Sequence, residues 1–223
     1  MTDRSPRPAA RGSGAPFWDG VADRYARAPI RDVAGYERTL ERTRSHLARD
    51  HRVLEIGCGT GTTALRLADA AGRILASDAS GNMIAIAQRK ALDAGVENVT
   101  FVRSDLFGER LDEGAPYDVV LAFNLLHLVE ETDAALARVR ELVRPGGLFV
   151  SKTVILGDGG LVFRVLVPLM RAIGKAPFVR FLRAAAFEEA VRRAGFVFLE
   201  TDKSPKGPKL LFIVARRPDG PGR

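Results

Sequence analysis

The sequence predicts an α/β protein: a three-layer, doubly wound sandwich whose sheet is mostly parallel and carries a late antiparallel strand. Three observations predict it. Short apolar runs alternate with amphipathic segments from Arg52 to Leu142, the order that builds parallel βαβ units. A glycine turn joins the first apolar run to the first of those helices, with Gly57, Gly59 and Gly61 at every second position. Near the end, two apolar runs are separated only by the polar stretch Asp202 to Lys209, with Pro205, Gly207 and Pro208, which suits a hairpin and not a crossover. The 223 residues suffice for one such domain and are too few for two. The expected organisation is a disordered Pro/Arg/Gly/Ser-rich tail over 1–15, one domain over 16–217 and a short tail over 218–223.

Composition narrows the function classes. Hydrophobic residues make up 46% and charged residues 27%, as in a soluble globular protein. The one cysteine, Cys58, excludes an internal disulfide framework and a cysteine-rich metal site, and no metal is expected. Met1 to Ala10 has no apolar core for a signal peptide, and no apolar run reaches bilayer length. A cytoplasmic location is expected. The net charge of +7 comes mostly from scattered arginines: Arg4, Arg7 and Arg11 in the tail, Arg38, Arg42 and Arg44 in one helix, Arg216, Arg217 and Arg223 at the end. This reads as a solvated surface and not as a nucleic-acid face.

In chain order, Trp18, Val21, Ala22 and Tyr25 fall at helical spacing, and Tyr36 to Leu47 is a second amphipathic helix. Together they form a helical cap over 16–50. Val53, Leu54 and Ile56 make a buried strand interrupted by Glu55. The glycines that follow allow φ > 0 and let a ligand lie against bare backbone. Gly59-Thr-Gly61-Thr-Thr-Ala64 also satisfies the permissive dinucleotide pattern G-x-G-x-x-A, a weak match. Glu55 argues against it: a carboxylate there repels a pyrophosphate but suits an ammonium or sulfonium group.

Arg73–Asp78 is the second strand, and Asp78 follows Gly57 by 21 residues, the interval at which a carboxylate reaches ribose hydroxyls. Ser80 caps a helix over Asn82–Ala94. Asn98–Asp105 is the third strand and Tyr117–Asn124 the fourth, with Asn124 at the crevice edge. His127 is a candidate general base, because an unperturbed imidazole titrates near neutrality. Glu131–Leu142 is a helix, stopped by Arg144-Pro-Gly-Gly147 ahead of the fifth strand, Leu148–Ile155. An apolar insertion over 156–185 follows, centred on 161–173. It is either a lid on the acceptor pocket or an amphipathic patch for a membrane surface or a second copy of the chain. Helix Phe187–Ala194 and strands Gly195–Glu200 and Leu210–Ala215 complete the reading.

Several of these motifs coincide with one family. Glu55-x-Gly57-x-Gly59-x-Gly61, the Trp18-Asp-x-x-Ala22-x-x-Tyr25 opening, Asp105-Leu106 and Arg144-Pro-Gly-Gly resemble class I, Rossmann-like S-adenosylmethionine-dependent methyltransferases of the small-molecule type. The resemblance covers about residues 17–216. It implies a seven-stranded sheet, S-adenosylmethionine as cofactor, and in-line transfer of its methyl group. It also implies cofactor contacts from Tyr25, Glu55, Gly57, Cys58, Gly59, Gly61, Asp78, Ala79, Met83, Ser104, Asp105, Leu106 and Asn124. Asp105 would hold the exocyclic amine of adenine and Leu106 would cover one ring face. Leu-Leu-His after Asn124 is not the Pro-Pro-aromatic of amino-methylating DNA enzymes, and Cys58 lacks the preceding proline of cytosine-C5 enzymes. An arsenite methyltransferase needs several cysteines. A small organic acceptor remains, or a lipid- or quinone-like one at a membrane surface. The rivals are an NAD(P)-dependent oxidoreductase, for which no Tyr-x-x-x-Lys is present, and a cofactor-binding homologue without turnover.

Overall fold

The structure is a computed structural model that describes residues 14–158, 176–203 and 210–220. The expected tail over 1–15 falls outside the described residues except for its last two positions. The apolar segment 161–173, the hairpin tip 204–209 and the end of the 218–223 tail lie outside them as well.

The described residues form one seven-stranded sheet in the order β3-β2-β1-β4-β5-β7-β6. The strands are β1 (Arg52–Ile56), β2 (Arg73–Asp78), β3 (Val99–Arg103), β4 (Tyr117–Phe123), β5 (Val143–Val154), β6 (Val197–Lys203) and β7 (Leu210–Arg216). The first five run parallel, and β7 lies antiparallel between β5 and β6. The helices are α1 (Ala15–Arg27), α2 (Val33–Arg44), α3 (Thr62–Leu67), α4 (Gly81–Asp93), α5 (Thr132–Leu142) and α6 (Ala184–Arg193).

Alternation along the central strands builds the three layers. Val53, Val119, Leu121 and Val150 face one side, with Leu40, Ala64, Leu67, Ile84 and Ala87. Leu54, Val120, Ala122 and Phe149 face the other, with Leu136, Val139, Phe187 and Val191. Neighbouring residues of a strand point to opposite faces. A strand covered on both faces therefore reads as continuous apolar sequence, which is how β1 and β4 read.

Several boundaries differ from expectation for identifiable reasons. β3 stops at Arg103, because the chain turns once the Ser104 N–H has bonded the Asp78 carbonyl at 3.0 Å. The Asp105 carboxylate then accepts the Phe107 N–H at 2.9 Å and fixes the turn. Arg144-Pro-Gly-Gly is not a turn ahead of the fifth strand but lies inside β5. The pairing with β4 shifts register between Tyr117 and Val119. Gly146 has φ +72°, and a Cβ on Gly147 would sit 2.8 Å from the Asp118 carbonyl oxygen, so both glycines are needed at this bulge. α6 starts three residues early, at Ala184, whose N–H donates to the Asp158 carboxylate at 3.1 Å. β6 continues to Lys203 instead of ending at Glu200.

The expected surface role of the basic side chains is visible on α2. Arg42 bonds Glu200 at 2.6 Å and Asp202 at 2.5 Å, and Arg44 bonds Asp69 at 2.5 Å. Such exposed pairs contribute roughly 0–1 kcal/mol each. They nonetheless pair Arg42 and Arg44 with acidic side chains of other elements. Among the described residues no helix is long and apolar enough to cross a membrane.

Candidate active site

The chain winds from β1 outward to β2 and β3, then returns to the other side of β1 as β4. The carboxyl ends of β1 and β4 therefore flank a topological switch point, where open α/β sheets bind ligands. A cavity of about 720 Å³ lies there, within the ~300–1,000 Å³ range of small-molecule sites. The ends of β1, β2 and β4, the turn after β3, α1 and the start of α5 all contribute to its lining.

The three glycines of the loop differ in what requires them. All have positive φ: +70° at Gly57, +54° at Gly59 and +75° at Gly61. A Cβ on Gly57 would meet the Leu125 side chain at 2.8 Å, so this glycine lets the β4 loop close on the β1 loop. A Cβ on Gly61 would lie 2.7 Å from Ala87 Cβ and from the Phe101 ring. Gly61 is thus needed for packing against α4 and β3, and it is not among the residues that line the cavity. Around Gly59 the nearest such atom is 3.9 Å away, on the Tyr25 ring; this is the glycine that presents open backbone to the cavity. Gly61→Ala is expected to lower the melting temperature well beyond Gly59→Ala. Each change adds roughly 1–2 kcal/mol of left-handed strain, but only the first adds a core clash. Gly59→Ala should instead weaken ligand affinity; equal melting temperatures for the two variants would contradict this division.

The carboxylates sit at or just past the ends of β1, β2 and β3. Glu55 on β1 is 2% exposed. Burial, partly offset by a bond from the Ala64 N–H, raises its pKa from 4.5 to about 8. Its Oε2 has no hydrogen-bond partner among the described residues. Asp78 on β2 accepts the Gly59 N–H on Oδ2 and the Ser80 N–H on Oδ1, both at 2.9 Å. It therefore anchors the glycine loop to the start of α4, and burial raises its pKa as well. Asp105 stands in the turn after β3, where Ser104 Oγ donates to its carbonyl at 3.0 Å. Tyr25, Gly57, Cys58, Ala79, Met83, Ser104, Leu106 and Asn124 join Glu55, Gly59, Asp78 and Asp105 in lining the cavity. Burial pushes the Cys58 thiol well above its ordinary value, which favours the neutral thiol over the thiolate.

Asn124 ends β4 with φ +53°, a left-handed non-glycine conformation that asparagine tolerates best. Its N–H donates to the Lys152 carbonyl at 2.7 Å, pinning this turn to β5. A 3-10 turn over Leu126–Leu128 follows. Residues three apart share one side of such a turn, and Leu125 and Leu128 line the cavity while His127 does not. His127 is buried, its pKa falls from 6.5 to about 4 through desolvation, and its Nδ1 finds no partner among the described residues. The expected general base is thus not brought to the cavity.

Sequence reasoning missed other parts of the lining. Trp18 lines the cavity with Tyr25, their ring centroids 6.1 Å apart and edge-on. The seven-residue spacing on one helix face was the available signal. Phe107, Phe123, Val129, Glu130, Glu131 and Ala134 also contribute. Phe123 ends β4, and the others lie in turns and at a helix start, where no periodicity marks a facing direction.

A doubly wound sheet in this strand order, with a glycine loop and acids at or just past the ends of its first strands, is the arrangement that the resemblance to class I, Rossmann-like S-adenosylmethionine-dependent methyltransferases implies. The sequence is similar over its central part, where residues 53–147 match the family model described as "Methyltransferase domain". A ubiquinone biosynthesis O-methyltransferase of Azorhizobium caulinodans is 33% identical over 150 residues, 63% of this chain and 58% of that one. The highly reducing polyketide synthase sthA of Phaeosphaeria nodorum is 29% identical over 187 residues, 78% of this chain and 6% of that protein. The chain thus spans little more than half the length of the first relative and a small part of the second. Among solved structures, the 4+2 cyclase SpnF superposes with a TM-score of 0.76 at 20% identity, covering 97% of this chain and 100% of that one. At that identity the likeness is one of fold.

Proposed function

We propose that this chain transfers a methyl group from S-adenosylmethionine to a small organic acceptor, the activity residing in a single domain over residues 16–217. The observation that carries the reading is Glu55: a buried carboxylate with one unpartnered oxygen, at the cavity end of β1, beside the open backbone of Gly59. A buried carboxylate without a counter-charge is costly, and the cofactor's ammonium group is a fitting partner. Asp78 suits the ribose hydroxyls, since each of its oxygens accepts only one bond in the structure and retains capacity for another. Asp105 and Leu106 suit adenine, and Tyr25 and Trp18 cover the site from α1.

The bound cofactor supplies an activated methyl on sulfur, so no nucleophile or metal is asked of the protein. What its residues do is orient and exclude. Five acidic side chains line the cavity, Glu55, Asp78, Asp105, Glu130 and Glu131, and the described lining holds no Lys, Arg or His, in a chain of net charge +7. That potential favours a cationic cofactor and an acceptor that is neutral or cationic, and it opposes the pyrophosphate of an NAD(P) reading. The apolar side chains of Phe107, Phe123, Leu125, Leu128 and Val129 keep water from the reacting groups.

The reading is tested with purified protein. S-adenosylmethionine and S-adenosylhomocysteine should each raise the melting temperature and NAD should not; labelled methyl should then appear in an acceptor from a screened panel. No shift with either cofactor form would sink the proposal. His127→Gln should leave the pH dependence of turnover unchanged, and loss of a titration step in that variant would restore it as a base. A lipid- or quinone-like acceptor is the second reading, supported by the similarity to the ubiquinone biosynthesis O-methyltransferase of A. caulinodans. Co-sedimentation with anionic vesicles distinguishes it.

A further inference from the structure

The cap helix α1 is fastened to the domain by a polar contact beside the cavity. Asp19 Oδ1 accepts from Ser80 Oγ at 2.6 Å and from the Asn82 N–H at 3.1 Å, and Asn82 Nδ2 donates to the Asp19 carbonyl at 3.0 Å. Ser80 is 0% exposed. Its Oγ also accepts the Met83 N–H at 3.1 Å, capping α4. Its own N–H donates to Asp78 Oδ1 at 2.9 Å. One buried serine therefore joins a carboxylate on the cap to the cavity carboxylate on β2.

The apolar packing beneath this contact is thin. Ala22, Met83 and Ile86 are buried between α1 and α4, with Trp18 and Ala26 partly buried beside them. Three buried side chains, one of them an alanine, leave much of the orientation of α1 to the polar contact. That contact is favourable: Asp19 sits at the N-terminus of the 13-residue α4, where a negative charge is stabilised by the helix dipole. The Ser80 hydroxyl holds the Asp19 carboxyl below its ordinary pKa. Trp18, adjacent to Asp19, and Tyr25, two turns on, both line the cavity.

We infer that Asp19 is the positioning residue of the cap: its bond to Ser80 couples the closed placement of α1 to the Asp78 end of the site, and so governs how long the cofactor stays bound. The inference rests on the cofactor occupying this cavity, and its test separates the two. Trp18 is the only tryptophan in the sequence, so intrinsic fluorescence reads the cap directly. S-adenosylhomocysteine displacement followed by stopped-flow fluorescence should show dissociation about tenfold or more faster in Asp19→Ala, the scale of one lost charged hydrogen bond. Asp19→Asn, whose amide oxygen still accepts from the Ser80 hydroxyl, should fall between Asp19→Ala and wild type. The ligand-free melting temperatures should change little. Wild-type dissociation rates in both variants would overturn the inference. Should Asp19→Ala not fold, an unchanged rate in Asp19→Asn overturns it alone. Should wild type bind no S-adenosylhomocysteine, the cofactor reading fails by itself, and acrylamide quenching of Trp18 in free protein decides the latch. Quenching should then rise in Asp19→Ala, less in Asp19→Asn, and equal quenching in all three proteins overturns it.

Discussion

Replacing Glu55 by Gln is expected to raise the dissociation constant for S-adenosylmethionine about 10- to 100-fold, the scale of one hydrogen bond to a charged partner. It should also remove a proton that wild type releases on binding. Below about pH 8 the free protein holds Glu55 mostly protonated, because burial raises its pKa to about 8. A cationic group beside Oε2 favours the ionised form, so binding near pH 7 expels the proton and affinity climbs with pH up to about 8. Calorimetry in two buffers of different ionisation enthalpy reads the proton directly. Equal proton release by wild type and Glu55→Gln would remove Glu55 from this role.

The same residue makes a stability prediction of definite sign. Its pKa is higher in the folded chain than the ordinary 4.5 of an exposed carboxyl. The stability it contributes is therefore present in full below about pH 4.5 and is lost as pH rises to about 8. Ligand-free wild type should lose stability across that interval, and Glu55→Gln should flatten the slope. A denaturation series in pH reports both.

Asp78→Ala is expected to weaken cofactor binding at least as severely, by about 100-fold. The carboxylate holds the Gly59 and Ser80 N–H groups at 2.9 Å. Its removal therefore loosens the glycine loop and the start of α4 together, besides deleting the proposed ribose acceptor. Asp78→Asn should rescue little, because its amide nitrogen would face one of those two N–H donors. Calorimetric affinity unchanged in Asp78→Ala would refute the assignment. A loss confined to Asp78→Ala, with Asp78→Asn near wild type, would show that one accepted N–H bond suffices and would refute the need for a charged acceptor.

Much of the fold could be read before any coordinates. The buried strands β1 and β4 are short apolar runs, the Ser80 cap precedes a helix of 3.6-residue periodicity, and Asp78 closes β2. Each of these is a local demand of backbone or burial, so it leaves a mark in adjacent residues. The boundaries that moved did so through distant partners. β5 began early because Tyr117 pairs Val143 before the register shift, and α6 began early because Asp158 reaches Ala184.

Within the site the division follows the same physics. The sequence by itself determined that a glycine loop, three strand-end acids and an aromatic cap helix exist, because spacing along one chain specifies them. Only the tertiary structure decided what each faces. Gly59 opens to the cavity while Gly61 abuts Ala87 and Phe101. His127 is turned away by a 3-10 step, Trp18 joins the lining, and Asp19 reaches Ser80. Those outcomes depend on side chains brought close from far along the chain, and no local pattern records which neighbour will be there.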